Sequence, residues 1–196
     1  YSKAADQGYA AAQHNLGAMY ENGRGISQNY VKAVEWYSKA ADQAFAPSSY
    51  NLGLMYSKGI GVKQDYTKAL EWYSKAANEG NVFAQLNLGA MYANGQGVIQ
   101  NDIKAVEWYS KAANQGVAQA QLNLGIMYET GLGITQDYTK AVEWYSKAAN
   151  QENTLAQFNL GAIYHKGLIV KQNYTKAMEW YSKAAKHGDV KSQFNL

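Results

Sequence analysis

The sequence predicts an all-α fold built from stacked repeats, and three observations support this prediction. A Trp-Tyr-Ser-Lys-Ala-Ala hexapeptide returns every 36 residues, with its tryptophan at Trp36, Trp72, Trp108, Trp144 and Trp180. Each interval contains two stretches with the apolar spacing of an amphipathic helix. A loop with glycines separates the two stretches. A strict period of this length is typical of proteins in which neighbouring repeats share one continuous core.

The period divides the chain into five whole repeats and two partial ones. The whole repeats span residues 9–44, 45–80, 81–116, 117–152 and 153–188, and the partial ones span 1–8 and 189–196. Because both ends fall inside a repeat, we expect a longer array, with any targeting segment outside this chain. The cut ends would expose an apolar stripe, since terminal capping repeats are missing. We therefore expect end-to-end self-association at high concentration.

Composition argues against several functional classes. The 196 residues include no cysteine, which excludes disulfides, thiolate metal sites and a thiol nucleophile. The net charge is +3 and Arg24 is the single arginine, so the sequence lacks the clustered basic face of a nucleic-acid binder. No apolar run approaches the roughly 20 residues that cross a bilayer. We expect no nucleic-acid partner and no membrane insertion, and the cellular compartment stays open.

The first helix of each repeat is predicted from the pattern over residues 10–22. Its core face carries Leu16, Gly17 and Tyr20. A glycine inside a helix costs about 1 kcal/mol relative to alanine, so its return in every repeat predicts close packing against its bare backbone. The glycine and tyrosine columns are Gly17, Gly53, Gly89, Gly125 and Gly161, and Tyr20, Tyr56, Tyr92, Tyr128 and Tyr164.

The loop and the second helix follow a constant pattern. Gly23 fits the left-handed end of a helix, the next Ile or Val is expected to plug the loop into the core, and an Asn or Asp then caps the second helix. No Lys-Ser/Thr follows the glycines, so a phosphate-binding loop is disfavoured. In the second helix, residues 30–42, Trp36 is predicted to wedge against a neighbouring helix. Glu35 is placed to pair with Lys39 on the outer side.

Four residues break the pattern. Ala44 and Glu152 replace the glycine between repeats, Pro47 stands in the first turn of a helix, and Ile169 replaces a loop glycine. We expect Asn153 to take the left-handed conformation in place of Glu152, because asparagine tolerates it better than most residues. Small local changes in loop shape are expected, with no loss of helix pairing.

One complete repeat carries the residues of a known family pattern. These are Ala84, Leu88, Gly89, Tyr92, Gly95, Gly97, Val98, Asp102, Lys104, Ala105, Trp108, Tyr109, Ala112, Ala113 and Gly116. The pattern resembles the Sel1-like repeats, a group of tetratricopeptide-like helical repeats, and Asp102 departs from the residue usual at its position. The resemblance implies a right-handed superhelix, or α-solenoid, of antiparallel helix pairs. It also implies a role as an adaptor in protein complexes.

The face of the first helix opposite its core stripe is the predicted binding groove. Its asparagine is constant, whereas the residues three and seven positions later vary. The candidate residues are Asn15, Asn51, Leu54, Lys58, Asn87, Ala90, Asn94, Asn123, Ile126, Thr130, Asn159 and Lys166, and the asparagine column ends at Asn195. Constant amides beside variable side chains suit a groove that bonds a peptide backbone and selects its sequence. Recent duplication, or a structural bond to the neighbouring repeat, would also produce such a column.

A second variable column lies beside the asparagines. It consists of His14, Tyr50, Leu86, Leu122, Phe158 and Phe194. Its mostly apolar character fits either the groove or packing between repeats. The histidines of the chain, His14, His165 and His187, share no metal-ligand spacing, so no metal or cofactor is expected.

These observations predict a non-enzymatic scaffold that binds a protein or peptide segment in a concave groove lined by the first helices. The alternative is a bacterial envelope protein that binds peptidoglycan or β-lactam-like ligands, as some secreted relatives are linked to doing. Those relatives carry cysteine pairs that this sequence lacks. Ser38-Lys39 recurs too regularly to be a unique active site, and the scarcity of arginine disfavours an RNA-binding repeat code.

Overall fold

The computed structural model describes residues 2–168 and 172–194, without the side chain of Phe194. These residues form twelve α-helices and no strand, which confirms the all-α prediction. Contacts group the chain into an N-terminal unit, Tyr1–Asn101, and a C-terminal unit, Asp102–Leu196. Three predictions fall outside the described residues: the loop change at Ile169, the apolar loop plug Val170 of the last whole repeat, and the end of the asparagine column at Asn195.

Six helices build the N-terminal unit. They are α1 Ser2–Asp6, α2 Ala10–Asn22, α3 Tyr30–Ala41, α4 Ala46–Lys58, α5 Tyr66–Asn78 and α6 Val82–Asn94. Each helix packs against the next one along the chain, and α4 also contacts α6. The even-numbered helices from α2 onward are therefore the first helices of successive repeats, and α3 and α5 are second helices.

The C-terminal unit repeats this arrangement with six more helices. They are α7 Asp102–Asn114, α8 Ala118–Thr130, α9 Tyr138–Ala149, α10 Thr154–Lys166, α11 Tyr174–Lys186 and α12 Val190–Phe194. Here too each helix packs against its successor. In this unit α8 and α10 are first helices, and α7, α9 and α11 are second helices.

Hydrogen bonds at both ends of a repeat show that its two helices are antiparallel. The Asn29 backbone N–H, just before α3, donates to the Tyr20 carbonyl near the end of α2 at 2.9 Å. At the opposite end, the Gln43 amide donates to the Gln13 side chain at 2.8 Å. The predicted helix pairing is thereby confirmed.

The loops confirm the predicted caps. Gly23 ends α2 in the left-handed region with φ 67°, and the Asn29 side chain accepts the Lys32 backbone N–H at 3.0 Å. The second loop glycine is also required, because the backbone of the preceding repeat approaches it closely. A Cβ at Gly61, where φ is +70°, would lie 2.6 Å from the Tyr30 carbonyl oxygen of the preceding repeat. Ile26 packs against the core as expected.

The core glycine of each first helix packs against an aromatic ring. A Cβ at Gly17 would lie 2.8 Å from the Tyr37 ring, and at Gly53 it would lie 2.5 Å from the Tyr73 ring. The ring of the second helix therefore rests on bare backbone, as the glycine column predicts. The tryptophans wedge as expected, since Trp72 packs on a cluster that includes Tyr37 of the preceding repeat.

The lysines of the hexapeptide have a different partner from the predicted one. Glu35 and Lys39 form no ion pair among the described residues, because the Lys39 ammonium lies over the Trp36 ring, 3.9 Å from its centroid. The same stacking returns at Lys75, 4.0 Å from Trp72. At such exposed positions a lysine over a tryptophan ring gains about 0.5–1 kcal/mol, at least as much as an exposed ion pair within a helix, about 0.3–0.5 kcal/mol.

The turns that lack glycine keep the glycine conformation. Ala44 has φ 58° and Glu152 has φ 63°, in the same left-handed region as Gly80 and Gly116, which have φ 86° and 89° at the equivalent turns. The prediction for Asn153 is wrong, because Asn153 is extended and caps α10 by accepting the Ala156 N–H. Hydrogen bonding fixes which residue must turn, whatever its side chain. The predicted helix pairing persists around both turns, with Pro47 in the first turn of α4.

Candidate functional site

The asparagine column lies at the surface of both units. The first-helix face, defined here as the side of α2, α4, α6, α8 and α10 that carries this column, is only partly covered. Asn15 is exposed, whereas Asn51, Asn87, Asn123 and Asn159 are half-buried. Half-burial indicates that these amides contact protein on one side and solvent on the other.

The protein side of each amide is a tyrosine of the preceding repeat. Tyr37 and Tyr145 are fully buried, yet their hydroxyl groups reach the first-helix face. The Tyr37 hydroxyl donates to Glu21 Oε2 at 2.5 Å, and the Tyr145 hydroxyl donates to Glu129 Oε2 at 2.6 Å. At the equivalent place in α4, the Ser57 hydroxyl lies 3.3 Å from the Tyr73 hydroxyl.

These environments raise the pKa values of the tyrosines. Burial is the largest cause at Tyr37, and the hydrogen bond and negative charge of Glu21 raise its pKa further. The pKa of Tyr145 is raised in the same way, first by burial and then by the hydrogen bond and negative charge of Glu129. Burial alone raises the pKa of Tyr109 to about 12, against a small opposing effect of Asn123. The phenols therefore stay protonated at neutral pH and act as hydrogen-bond donors.

The asparagine of the next first helix lies beside each of these hydroxyls. Asn51 at Tyr37, Asn87 at Tyr73 and Asn159 at Tyr145 each lower the tyrosine pKa through a side-chain hydrogen bond, as an N–H group near a phenol oxygen does. We call each tyrosine and the asparagine of the next first helix a rung. A rung links two neighbouring repeats, which supports the structural reading of the asparagine column.

The rung leaves some hydrogen-bonding groups of each asparagine amide available to a ligand. An asparagine side chain has two donor hydrogens and an acceptor oxygen. The Asn123 oxygen accepts from Gln119 at 3.0 Å. The side-chain oxygens of Asn51, Asn87 and Asn159 accept no hydrogen bond from the described residues. A structural bond and a ligand contact are therefore compatible at the same residue.

Surface cavities open beside the rungs. In the N-terminal unit, a cavity of about 210 Å³ is lined by residues that include Ser57, Tyr73, Asn87 and Ala90. In the C-terminal unit, a cavity of about 310 Å³ is lined by Phe158, Ala162, His165, Lys166 and Tyr181. Both lie on the first-helix face, and both include predicted groove residues.

The remaining predicted groove residues differ in availability. Lys58, Asn94 and Lys166 are exposed, and Leu54, Ala90 and Ile126 are half-buried. Thr130 is exposed as well, but its hydroxyl donates to the Ile126 carbonyl of its own helix at 2.8 Å. The Thr130 hydroxyl could therefore donate a hydrogen bond to a ligand only if this bond broke or were shared.

Sequence reasoning missed one variable column beside the rungs. Glu21, Ser57, Ala93, Glu129 and His165 occupy the same repeat position. Glu21, Ser57 and Glu129 bond the rung hydroxyls, and His165 contacts the Tyr181 ring. The column varies between repeats in both charge and size, as a specificity position would. Its sequence signal is weak, because it immediately precedes the column of exposed helix ends that was identified as variable.

The second variable column is mainly packing between repeats. The His14 ring lies 5.3 Å from both Tyr37 and Phe45, and His14 Nδ1 lies 2.9 Å from Ser48 Oγ of the next repeat. Burial lowers the pKa of His14, and Glu21 opposes that effect. Leu122 is buried in the core. The Phe194 side chain lies outside the described residues.

Two searches of the described residues bear on other kinds of site. No group of three or more His, Asp or Glu side chains in those residues is arranged to hold a metal ion. None of the helices found there has both the length and the apolar character that a bilayer crossing requires.

A family profile matches nearly the whole chain. The Sel1 repeat profile matches residues 1–9, 10–45, 46–81, 82–117, 118–153 and 154–189. Curated proteins give no match. The profile thus places each repeat one residue later than the division made from the hexapeptide.

Solved structures show the same fold. A protective antigen present in uropathogenic Escherichia coli strains, which displays an SLR fold, is 43% identical with a TM-score of 0.97 over 100% of this chain. This chain spans only 42% of that antigen's length. A Sel1 repeat protein from Oxalobacter formigenes is 34% identical with a TM-score of 0.87, covering 95% of this chain and 74% of that one. An immunity protein from Pseudomonas aeruginosa is 26% identical with a TM-score of 0.55, covering 94% of this chain and 68% of that one.

Proposed function

Because this chain belongs to the Sel1 repeat family, whose repeats form protein-interaction scaffolds, we propose that it binds an extended protein segment along the first-helix face of either unit. The observation that carries the proposal is the rung, a buried tyrosine beside the half-buried asparagine of the next repeat. Packing on one side limits the freedom of the amide, and its oxygen stays open to a ligand. An acceptor with limited freedom loses little conformational entropy when it bonds a peptide N–H.

The residues around each rung supply the other parts of a peptide site. Ala90 and Ser57 are small and leave room beside the Asn87 amide. The exposed Lys58 can reach an acidic group of the bound segment. The column of Glu21, Ser57, Glu129 and His165 changes the chemistry from one rung to the next. Constant rungs would bond the backbone, and this column would select side chains.

The test selects ligands first and then removes the rung amides. A library of random linear peptides is selected on the whole chain, and the affinity of the enriched peptides is measured by calorimetry. The variant Asn51→Ala/Asn87→Ala should bind them about tenfold more weakly, because a net hydrogen bond contributes roughly 0.5–1.5 kcal/mol. Circular dichroism would verify that the variant remains folded.

The matched control is Glu35→Ala/Glu71→Ala, which changes two exposed residues on the second helices. This control should bind the peptides as the unchanged chain does. The proposal is wrong if the library gives no specific peptide, or if the asparagine variant and the control bind equally well.

A further inference from the structure

A buried glutamine near the start of most first helices ties each repeat to the preceding one. Its amide donates to an alanine carbonyl in the preceding second helix or in α1. The bonds are Gln13 to Ala5 at 3.1 Å, and Gln85 to Ala77, Gln121 to Ala113 and Gln157 to Ala149, each at 3.2 Å. The column is thus a regular feature of the junctions between repeats.

A second glutamine, 30 residues later, completes the arrangement. The Gln43 amide donates to the Gln13 side-chain oxygen at 2.8 Å, and Gln151 donates to Gln121 at 2.9 Å. Where His187 replaces this second glutamine, the buried Gln157 oxygen has no partner among the described residues. The two positions therefore work as a matched pair.

One repeat changes both members of the pair. Ser49 and Glu79 occupy the two glutamine positions in residues 45–80. A carboxylate opposite a glutamine oxygen would set two acceptors against each other, and serine at position 49 avoids that conflict. The Ala41 carbonyl keeps its bond from the Ala44 N–H at 2.9 Å but lacks the glutamine donor that its counterparts have.

The paired change leaves a cavity of about 380 Å³ at this junction. Its lining includes Ala41, Asp42, Ser49, Lys75 and Glu79. Ser49 is only 2% exposed, and its hydroxyl bonds none of the described residues. Cavities that hold small molecules span about 300–1,000 Å³, so the space is sufficient for a ligand.

The lining carries more acceptors than donors. The Ala41 carbonyl, the Ser49 hydroxyl and the two carboxylates can all accept hydrogen bonds, and the Asn78 amide can both donate and accept. The Lys75 ammonium is stacked on Trp72, 4.0 Å from the ring centroid. The missing chemistry is a compact cationic group with several N–H donors, which is what a primary ammonium group provides.

We propose that this junction binds the primary ammonium group of a small amine. The ammonium replaces the amide donors of the missing glutamines, bonding the Ala41 carbonyl and Ser49 hydroxyl and pairing with the Glu79 carboxylate. The site is separate from the first-helix face, so it does not depend on peptide binding there.

The probes are ethanolamine and choline, which differ in whether the nitrogen carries hydrogens or methyl groups. Both are titrated into the isotope-labelled chain, and backbone amide shifts are followed by NMR. Ethanolamine should give saturable shifts at Ser49, Glu79 and their neighbours. Choline should bind about tenfold more weakly or worse, since it donates no N–H bond. Equal binding of both probes, or no saturable shift with ethanolamine, overturns the proposal.

The variant Ser49→Gln/Glu79→Gln restores the glutamine pair of the other repeats. It should fold at least as stably as the unchanged chain and lose ethanolamine binding by about tenfold or more, because its side chains occupy the cavity and supply the missing donors. Glu79→Gln alone keeps the cavity and should weaken binding by removing the charge. Undiminished binding to the double variant would also overturn the proposal.

Discussion

Two residues other than glycine hold a left-handed conformation at turns between repeats. Ala44 and Glu152 have φ values of 58° and 63°, where glycines such as Gly80 have 86°. A side chain in this region costs about 1–2 kcal/mol. A Cβ at Gly80 would meet nothing within 4 Å, so backbone strain rather than crowding decides the effect of a side chain there.

Replacing these residues by glycine should stabilise the chain. We expect Ala44→Gly and Glu152→Gly each to raise the free energy of unfolding by about 0.5–1 kcal/mol, since relief of strain exceeds the entropy that glycine adds to the unfolded chain. Urea denaturation would measure it as a higher midpoint at unchanged slope. The reverse change, Gly80→Ala, should lower the midpoint. A lower midpoint for both glycine variants would show that the backbone of Ala44 and Glu152 is not strained.

Single residues also show where sequence reasoning reaches its limit. Propensity favours Asn153 as the left-handed residue, but the turn closes through bonds from Glu152 N–H to Ala149 and from Asn153 N–H to Ala148. Asn153 is also needed as the cap of α10. The hydrogen bonds of the turn and of the helix cap therefore outweigh a preference of the order of 1 kcal/mol.

At the scale of helices, the sequence is a better guide. The first helix predicted over residues 10–22 is observed as Ala10–Asn22, and the second ends at Ala41, with Asp42 as its cap. Caps, glycines and apolar spacing are local signals, so they can be read directly. The sequence left a bond to the neighbouring repeat open as one reading of the asparagine column. It did not identify the tyrosine partner, because a tyrosine hydroxyl reaches its asparagine only through the packing of successive repeats.

The Tyr37 hydroxyl shows how one group can connect three helices. It belongs to α3 and donates a hydrogen bond to Glu21 of α2, and Asn51 of α4 lowers its pKa. Its folded-state pKa is raised above the ordinary value of 10.0, first by burial. Because this phenol ionises less readily in the folded state than in the unfolded state, its contribution to the free energy of unfolding is fully present below pH 10. That contribution is lost as the pH rises from 10 towards the folded-state pKa.

Alkaline unfolding tests this connection. We expect stability to be constant through neutral pH and to fall above pH 10, by up to about 1.4 kcal/mol per pH unit for each buried tyrosine. Tyr37→Phe/Tyr145→Phe should be less stable at pH 7 but should lose stability less steeply above pH 10. Denaturation at a series of pH values measures both slopes. Parallel loss in both proteins would show that these phenols do not govern the alkaline transition.

At the scale of the molecule, both units carry the same rungs with different neighbours. Tyr37–Asn51 in the N-terminal unit and Tyr145–Asn159 in the C-terminal unit each have a glutamate, whereas Tyr73–Asn87 has Ser57. A repeated backbone contact with changing neighbours suits a scaffold that recognises an extended segment. The family fold was predictable from the 36-residue period, but the partner cannot be read from features that every repeat shares.

The most direct measurement is the NMR response of the asparagine side chains to a selected peptide. The side-chain amide signals of Asn51 and Asn87 are assigned from single Asn→Ala variants of the whole chain and are followed during titration. Binding along the first-helix face predicts saturable shifts of both signals, with the affinity found by calorimetry. Shifts confined to the outer side of α3 and α5, with both asparagine signals unmoved at saturation, would contradict it.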